Sequence, residues 1–339
     1  MPLFPDQNRR ALAFLADQWF IEPVAGASPS ELPDRIFKAA TSGKWRRSAL
    51  DPVSYEDTLR KIATAHAERK RLEFTLPFGG YKGRAVASCP HINWAEVFAL
   101  NFLRRYALFV SREYTGGVLI TLSYASSIMD LVNNMPLSRQ TTYVSELSRL
   151  CVLFSDHDIK FQLYDVASAF PTAEDFRTAV RENFERVKHT WTAMDGYLLE
   201  KRLNSARRNL IIDGVEDLSN VSGDAFDEKV RDSAMFCEAL DSLTERRRFN
   251  KYSHRVQLVN VRGPSPAIHL ASCDTSANHF GVGTGAVEIR RDGCLQSILT
   301  TEAIRREIVN GSLSYFDVDD NVSHGFVGLR SGLIVSRDT

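Results

Sequence analysis

The chain has little that would tie it to a membrane, a nucleic acid or an oxidising compartment. Its 339 residues contain no run near the roughly 20 apolar residues that span a bilayer. The start, MPLFPDQNRR, lacks the apolar core of a secretory signal. Lys plus Arg number 42 and so do Asp plus Glu, so no global field draws the chain to DNA, RNA or an anionic membrane. The five cysteines are scattered and odd in number, and none forms a CxxC, which argues against a disulfide framework and for a reducing cytoplasm. Several chemistries fail at their first test: the chain has no HExxH, no GxSxG elbow, no Walker loop and no GxGxxG. Neither repeats nor low-complexity tracts occur.

What is there reads as alternating strands and helices. Leu72, Phe74 and Leu76 alternate with Arg71, Glu73 and Thr75, the period of a strand. Pro77, Gly79 and Gly80 break it, and the loop that follows carries Tyr81, Lys82 and Arg84. Asn93, with Glu96 three residues on, forms a capping box for an apolar helix over 94–114. Strands are predicted at 118–124 and 160–166, with a helix at 141–153 between them. Helices are also predicted at 6–21 and 55–70, with a loop at 22–33. This order predicts an α/β fold, a Rossmann-like mostly parallel sheet flanked by helices. Charged helices follow at 172–209 and 227–249.

After His254 the chain becomes strand-rich, with runs at 256–261, 267–272, 285–290 and 295–299, a helix at 301–309 and a strand-like tail over 325–336. These strands either extend the first sheet or build a second. The expected division is a core with N-terminal helices at 1–210 and a C-terminal α/β part at 227–339 completing the sheet and the active site, joined through 211–227.

Two polar concentrations are candidates for chemistry. In the first, Lys82 and Arg84 follow a glycine pair at the end of a strand, where the backbone approaches a ligand closely and cations meet an anion. An ordinary solvated loop has the same composition. The second, 268–285, holds His269, Cys273, Asp274, Asn278 and His279 among small residues. His269, Cys273 and His279 fit no zinc spacing, so no metal is expected. The three arginines 246–248 match a helix C-terminus and equally suit an anion.

These residues together resemble the isonitrile (isocyanide) synthases of the pyoverdine and dityrosine biosynthesis family. The resemblance rests on Phe78, Lys82, Pro90 and Ala95-Glu96, then Tyr114, Gly117 and the strand 118–122, the helix 143–150, and the elements Ile268-His269-Leu270 and His279-Phe280-Gly281-Val282. It runs loosely over 60–300. The chain departs from the family at LPFGGYKGR, at Tyr124-Ala125-Ser126 and at Asn278, as a divergent member would.

The resemblance implies condensation of an amino acid's amine with the ketone of ribulose 5-phosphate, without cofactor or metal. Small-molecule substrates, an amino acid and a sugar phosphate, are then the expected partners, and self-association into a homo-oligomer stays open. Lys82, His279 and Glu96 are the implied catalytic residues, with Glu96 equally explained as a cap. Tyr81, Arg84, His269 and Asn278 are the implied substrate contacts. Two other readings of the fold remain: a transferase using a phosphorylated or nucleotide-activated donor, and a non-catalytic binding protein.

Overall fold

The computed structural model describes residues 32–46, 48–78, 90–92, 94–133, 135–193, 196–213, 223–243, 254–259, 266–270, 285–289, 295–299, 314–316 and 334–336. The expected helices at 6–21 and 301–309 and the arginines 246–248 lie outside these residues.

Helices α1 (Leu32–Ala40) and α2 (Pro52–Ala67) precede strand β1 (Leu72–Pro77). Asp51 caps α2 by accepting the Ser54 N–H at 3.0 Å, and Pro52 sits in the first turn, where its missing N–H costs nothing. Then come α3 (Trp94–Ser111), β2 (Val118–Tyr124), a short α4 (Met129–Asn133), α5 (Leu137–Leu153) and β3 (Ile159–Asp165). Three longer helices, α6 (Ala173–Thr190), α7 (Gly196–Asp213) and α8 (Gly223–Asp241), lead to β4 (Val256–Val259) and β5 (Ile268–His269).

These five strands make one all-parallel sheet in the order β3-β2-β1-β4-β5. The expected α/β architecture is therefore present, with the predicted strands at 71–76, 118–124 and 160–166 lying side by side. The same order opens dinucleotide-binding sheets, and its direction reverses between β1 and β4. The later strands divide. While β4 and β5 extend this sheet, β6 (Gly285–Ile289), β7 (Leu295–Leu299), β8 (Ser314–Phe316) and β9 (Ile334–Ser336) form a second, mixed one in the order β7-β6-β9-β8.

One face of the parallel sheet is apolar from edge to edge. Leu72, Phe74 and Leu76 align with Val118, Ile120 and Leu122, and these with Ile159, Phe161 and Leu163. Val256, Leu258 and Ile268 continue the layer. Helix α3 covers it: Tyr106 meets Phe74 at 5.3 Å between ring centroids and donates its hydroxyl to Ala40 O at 2.9 Å. Trp45 closes on Phe102 at 5.4 Å, and α5 adds Tyr143, Leu147 and Leu150. Such side chains each contribute roughly 1.5–3 kcal/mol on burial.

A second core lies outside the sheet, among Phe176 and Val180 of α6, Ala206 and Leu210 of α7, Val230 and Ala234 of α8, and Ile128 and Val132. One glycine is demanded by the chain path. Gly117, at φ +81°, turns the chain into β2, and a Cβ there would stand 2.9 Å from Asp158 O.

Candidate functional site

Because all five strands run parallel, their carboxyl ends share one edge. Phe78, the residue after β1, and Leu270, the residue after β5, both stand there with β4 between them. That is a span of about 10 Å at the usual strand spacing. Phe78 is fully buried, and its N–H extends the ladder to Ser123 O at 2.9 Å. Each is the last described residue before one of the two polar concentrations, 79–89 and 271–284. Tyr81, Lys82, Arg84, Asn278 and His279 lie outside the described residues, and so does the capping residue Asn93.

The two implied site residues within the described part stand on opposite sides of the sheet. Glu96, in the first turn of α3, is fully buried and accepts the Tyr143 hydroxyl at 3.2 Å, on the apolar-face side. His269 pairs with Val259 and alternates with the core residue Ile268, so it belongs to the other face, half-buried. The structure does not bring these two together.

It does bring together a pair that no sequence pattern marks. His91 follows Pro90 in the segment leading into α3. Its Nδ1 lies 2.6 Å from Glu146 Oε1 on α5, and Glu146 Oε2 accepts the Ile92 N–H at 2.9 Å. The carboxylate is thus held by a backbone donor as well as by the ring. One helical turn separates Glu146 from Tyr143, so Glu96 and His91 are both tied to the same stretch of α5. No periodicity could have revealed a contact spanning 55 residues. The only advance signal was that a histidine ended the Lys82 loop.

A cleft of about 620 Å³ opens beside this edge, between α5 and the ends of β2 and β3. Tyr124, Gln140, Ser145, Ser148 and Arg149 line it with Leu163. Burial, reinforced by the charge of Asp165, pushes the Tyr124 phenol up to about 12, so it is a neutral hydrogen-bond donor near pH 7. Among the described residues no group of His, Cys, Asp and Glu is arranged to hold a metal ion, and no helix is long and apolar enough to cross a membrane.

No protein-family model matches the chain, and no curated protein does. A solved structure shares its fold: the PvcA (PA2254) protein from Pseudomonas aeruginosa matches with a TM-score of 0.66 over 91% of this chain and 100% of that one, at 14% identity. At that identity the likeness establishes the fold class, an α/β protein built like PvcA.

Proposed function

We propose that this chain is an amino-acid-modifying enzyme of the isonitrile-synthase type, condensing an amino-acid amine with the ketone of a pentulose phosphate. The observation that carries the reading is the strand order. It sets Phe78 and Leu270, the residues that precede the two polar stretches, at one edge of one sheet and on either side of β4, which supports a site shared by the two stretches. Ligands of open α/β sheets bind at that edge, at the point where the strand order reverses. The motif resemblance and the shared fold with PvcA support the same reading.

The roles follow from the chemistry required. A phosphate or carboxylate calls for cations, which Lys82 and Arg84 supply. Carbinolamine formation and dehydration call for proton transfer near neutral pH, which suits His279. Tyr81, His269 and Asn278 would add polar contacts to the substrates. Glu96 would act on the amine only through a rearrangement of its bond to Tyr143, since both side chains are buried.

The test is incubation with single amino acids and ribulose 5-phosphate carrying carbon-13 at its ketone, read by mass spectrometry. A product holding the amino acid plus one labelled carbon is expected. In Lys82→Ala and His279→Ala, turnover should fall roughly a hundredfold or more while the melting temperature stays unchanged. Full activity in either variant removes that residue's role.

The order β3-β2-β1-β4-β5 also favours a second reading, a transferase using a nucleotide-activated donor. Thermal stabilisation by a nucleotide sugar or adenosylmethionine, with none by ribulose 5-phosphate, would select it.

A further inference from the structure

We propose that His91, oriented by Glu146, is a proton-transfer residue of this chain. The proposal rests on the condensation reading above and names a group that the reading did not assign. In the geometry, Glu146 Oε1 lies 2.6 Å from Nδ1, so the carboxylate accepts a proton from that nitrogen and Nε2 is the ring nitrogen left for a substrate. Glu146 cannot readily swing away, because Oε2 is held by the Ile92 N–H and Ile92 is buried. A carboxylate that aligns an imidazole for base catalysis is the arrangement of hydrolytic triads. Here the remaining part is a substrate rather than a serine.

A purely structural ion pair explains this arrangement less well. The Ile92 bond already ties the α3 entrance to α5 without the ring. The His91 side chain keeps 29% of its surface exposed, against 16% for Glu146, so the reachable partner is the imidazole. Its position completes the argument. His91 closes the connection that starts after Phe78 at the carboxyl edge, the same connection that carries Lys82.

The step is carbinolamine formation. The neutral amine nitrogen attacks the ketone carbon, and the carbonyl electron pair moves to oxygen. His91 Nε2 takes a proton from that nitrogen, and the imidazolium returns it to the alkoxide. Amine and ketone become carbinolamine, the imidazole is regenerated, and no oxidant or further reactant enters.

The experiment uses the full chain with His91→Ala, His91→Gln and Glu146→Gln. Glu146→Gln keeps an oxygen for the Ile92 N–H, so its fold should hold. His91→Ala should lose roughly a hundredfold or more in turnover, and added imidazole should restore part of it, which a structural role would not allow. Glu146→Gln should lower kcat with KM nearly unchanged. Unimpaired turnover in folded His91→Gln overturns the proposal.

A second readout needs no turnover. Diethyl pyrocarbonate should modify His91 in the wild-type chain, and ribulose 5-phosphate with the amino acid should protect it. Equal modification with and without these substrates overturns the role of His91 in the condensation. Protection of His91 without any labelled isonitrile would instead keep its place at the site and remove the condensation reading.

Discussion

The two faces of the parallel sheet differ in kind. On one, every aligned residue from Ile159 to Ile268 is aliphatic or aromatic, and all but the half-buried Leu163 are buried in the core that α3 and α5 cover. On the other, Gln162, Thr121, Thr75 and Gln257 form a single row across four adjacent strands, since each is in register with the next. Gln162 donates to Thr121 Oγ1 at 2.8 Å, while Thr75, Thr121 and Gln257 are buried. Parallel sheets usually carry near-continuous apolar runs on both faces. Here one face supplies the stability, and the other keeps polar groups beside the β1–β4 reversal, where their desolvation is tolerable only if partners satisfy them.

The comparison breaks most sharply at Phe74. This ring is fully buried between β2, β4 and Tyr106, and its removal leaves a cavity under α3. Phe74→Ala should cost about 3–5 kcal/mol, read as a lowered urea midpoint with an unchanged slope. A loss below about 1 kcal/mol would show that the apolar face is not the main source of stability.

Ser54→Ala tests the seam where β5 joins the sheet. Ser54 Oγ donates to Asp51 Oδ2 at 2.7 Å and accepts the buried Ala267 N–H at 3.0 Å, linking the start of α2 to the start of β5. Without it that N–H loses its partner, at a cost of about 1–3 kcal/mol. Hydrogen exchange at Ala267 and Ile268 should quicken more than at Leu72.

The polar face is sharpened by Gln257→Leu. Gln257 is buried and its Oε1 has no hydrogen-bond partner. Replacing an unsatisfied amide with an apolar group of similar size should leave stability unchanged or raise it by about 1 kcal/mol. If the variant is instead clearly destabilised, the polar row is structural in the same sense as the apolar face.

How much of this could be read from the sequence varies with the range of the interaction. The alternation over 71–76 and the apolar run of α3 announced their elements, because period two and period 3.6 are local properties. The turn chemistry at 22–33 hid the start of α1: Pro33 stands inside the first helical turn, which tolerates proline, rather than closing a loop. The runs after His254 were visible as strands, yet the split between β4–β5 and β6–β9 depends on pairing partners far away in the chain. Ser314–Phe316, a strand of three residues, is too short to give a period at all. At the proposed site, the Lys82 loop was marked by its glycines and charges. His91 was not, because its meaning comes from Glu146 on α5, 55 residues away.

The smallest expected effect lies at the second core, between α4, which precedes β3, and α6, which follows it. Asp130 receives two bonds from Arg177, at 2.8 and 2.9 Å. Partial burial pushes the Asp130 carboxyl up, but the Arg177 guanidinium outweighs this and holds the group below its ordinary value. A depressed acid contributes stability above its unfolded pKa and loses it as pH falls through the folded one. The pair should therefore stabilise the chain at neutral pH and fade on acidification below the ordinary carboxylate range. With 43% of the Asp130 side chain exposed, solvent screening keeps the contribution under about 1 kcal/mol. Asp130→Asn should lower the melting temperature slightly at pH 7, converge with wild type in acid, and lose its difference in high salt. Phe74→Ala should keep its deficit under all three conditions, because the packing of that ring against β2, β4 and Tyr106 involves no charge. A deficit in Asp130→Asn that persists unchanged in acid would mean that Arg177 holds the two helices by packing rather than by charge.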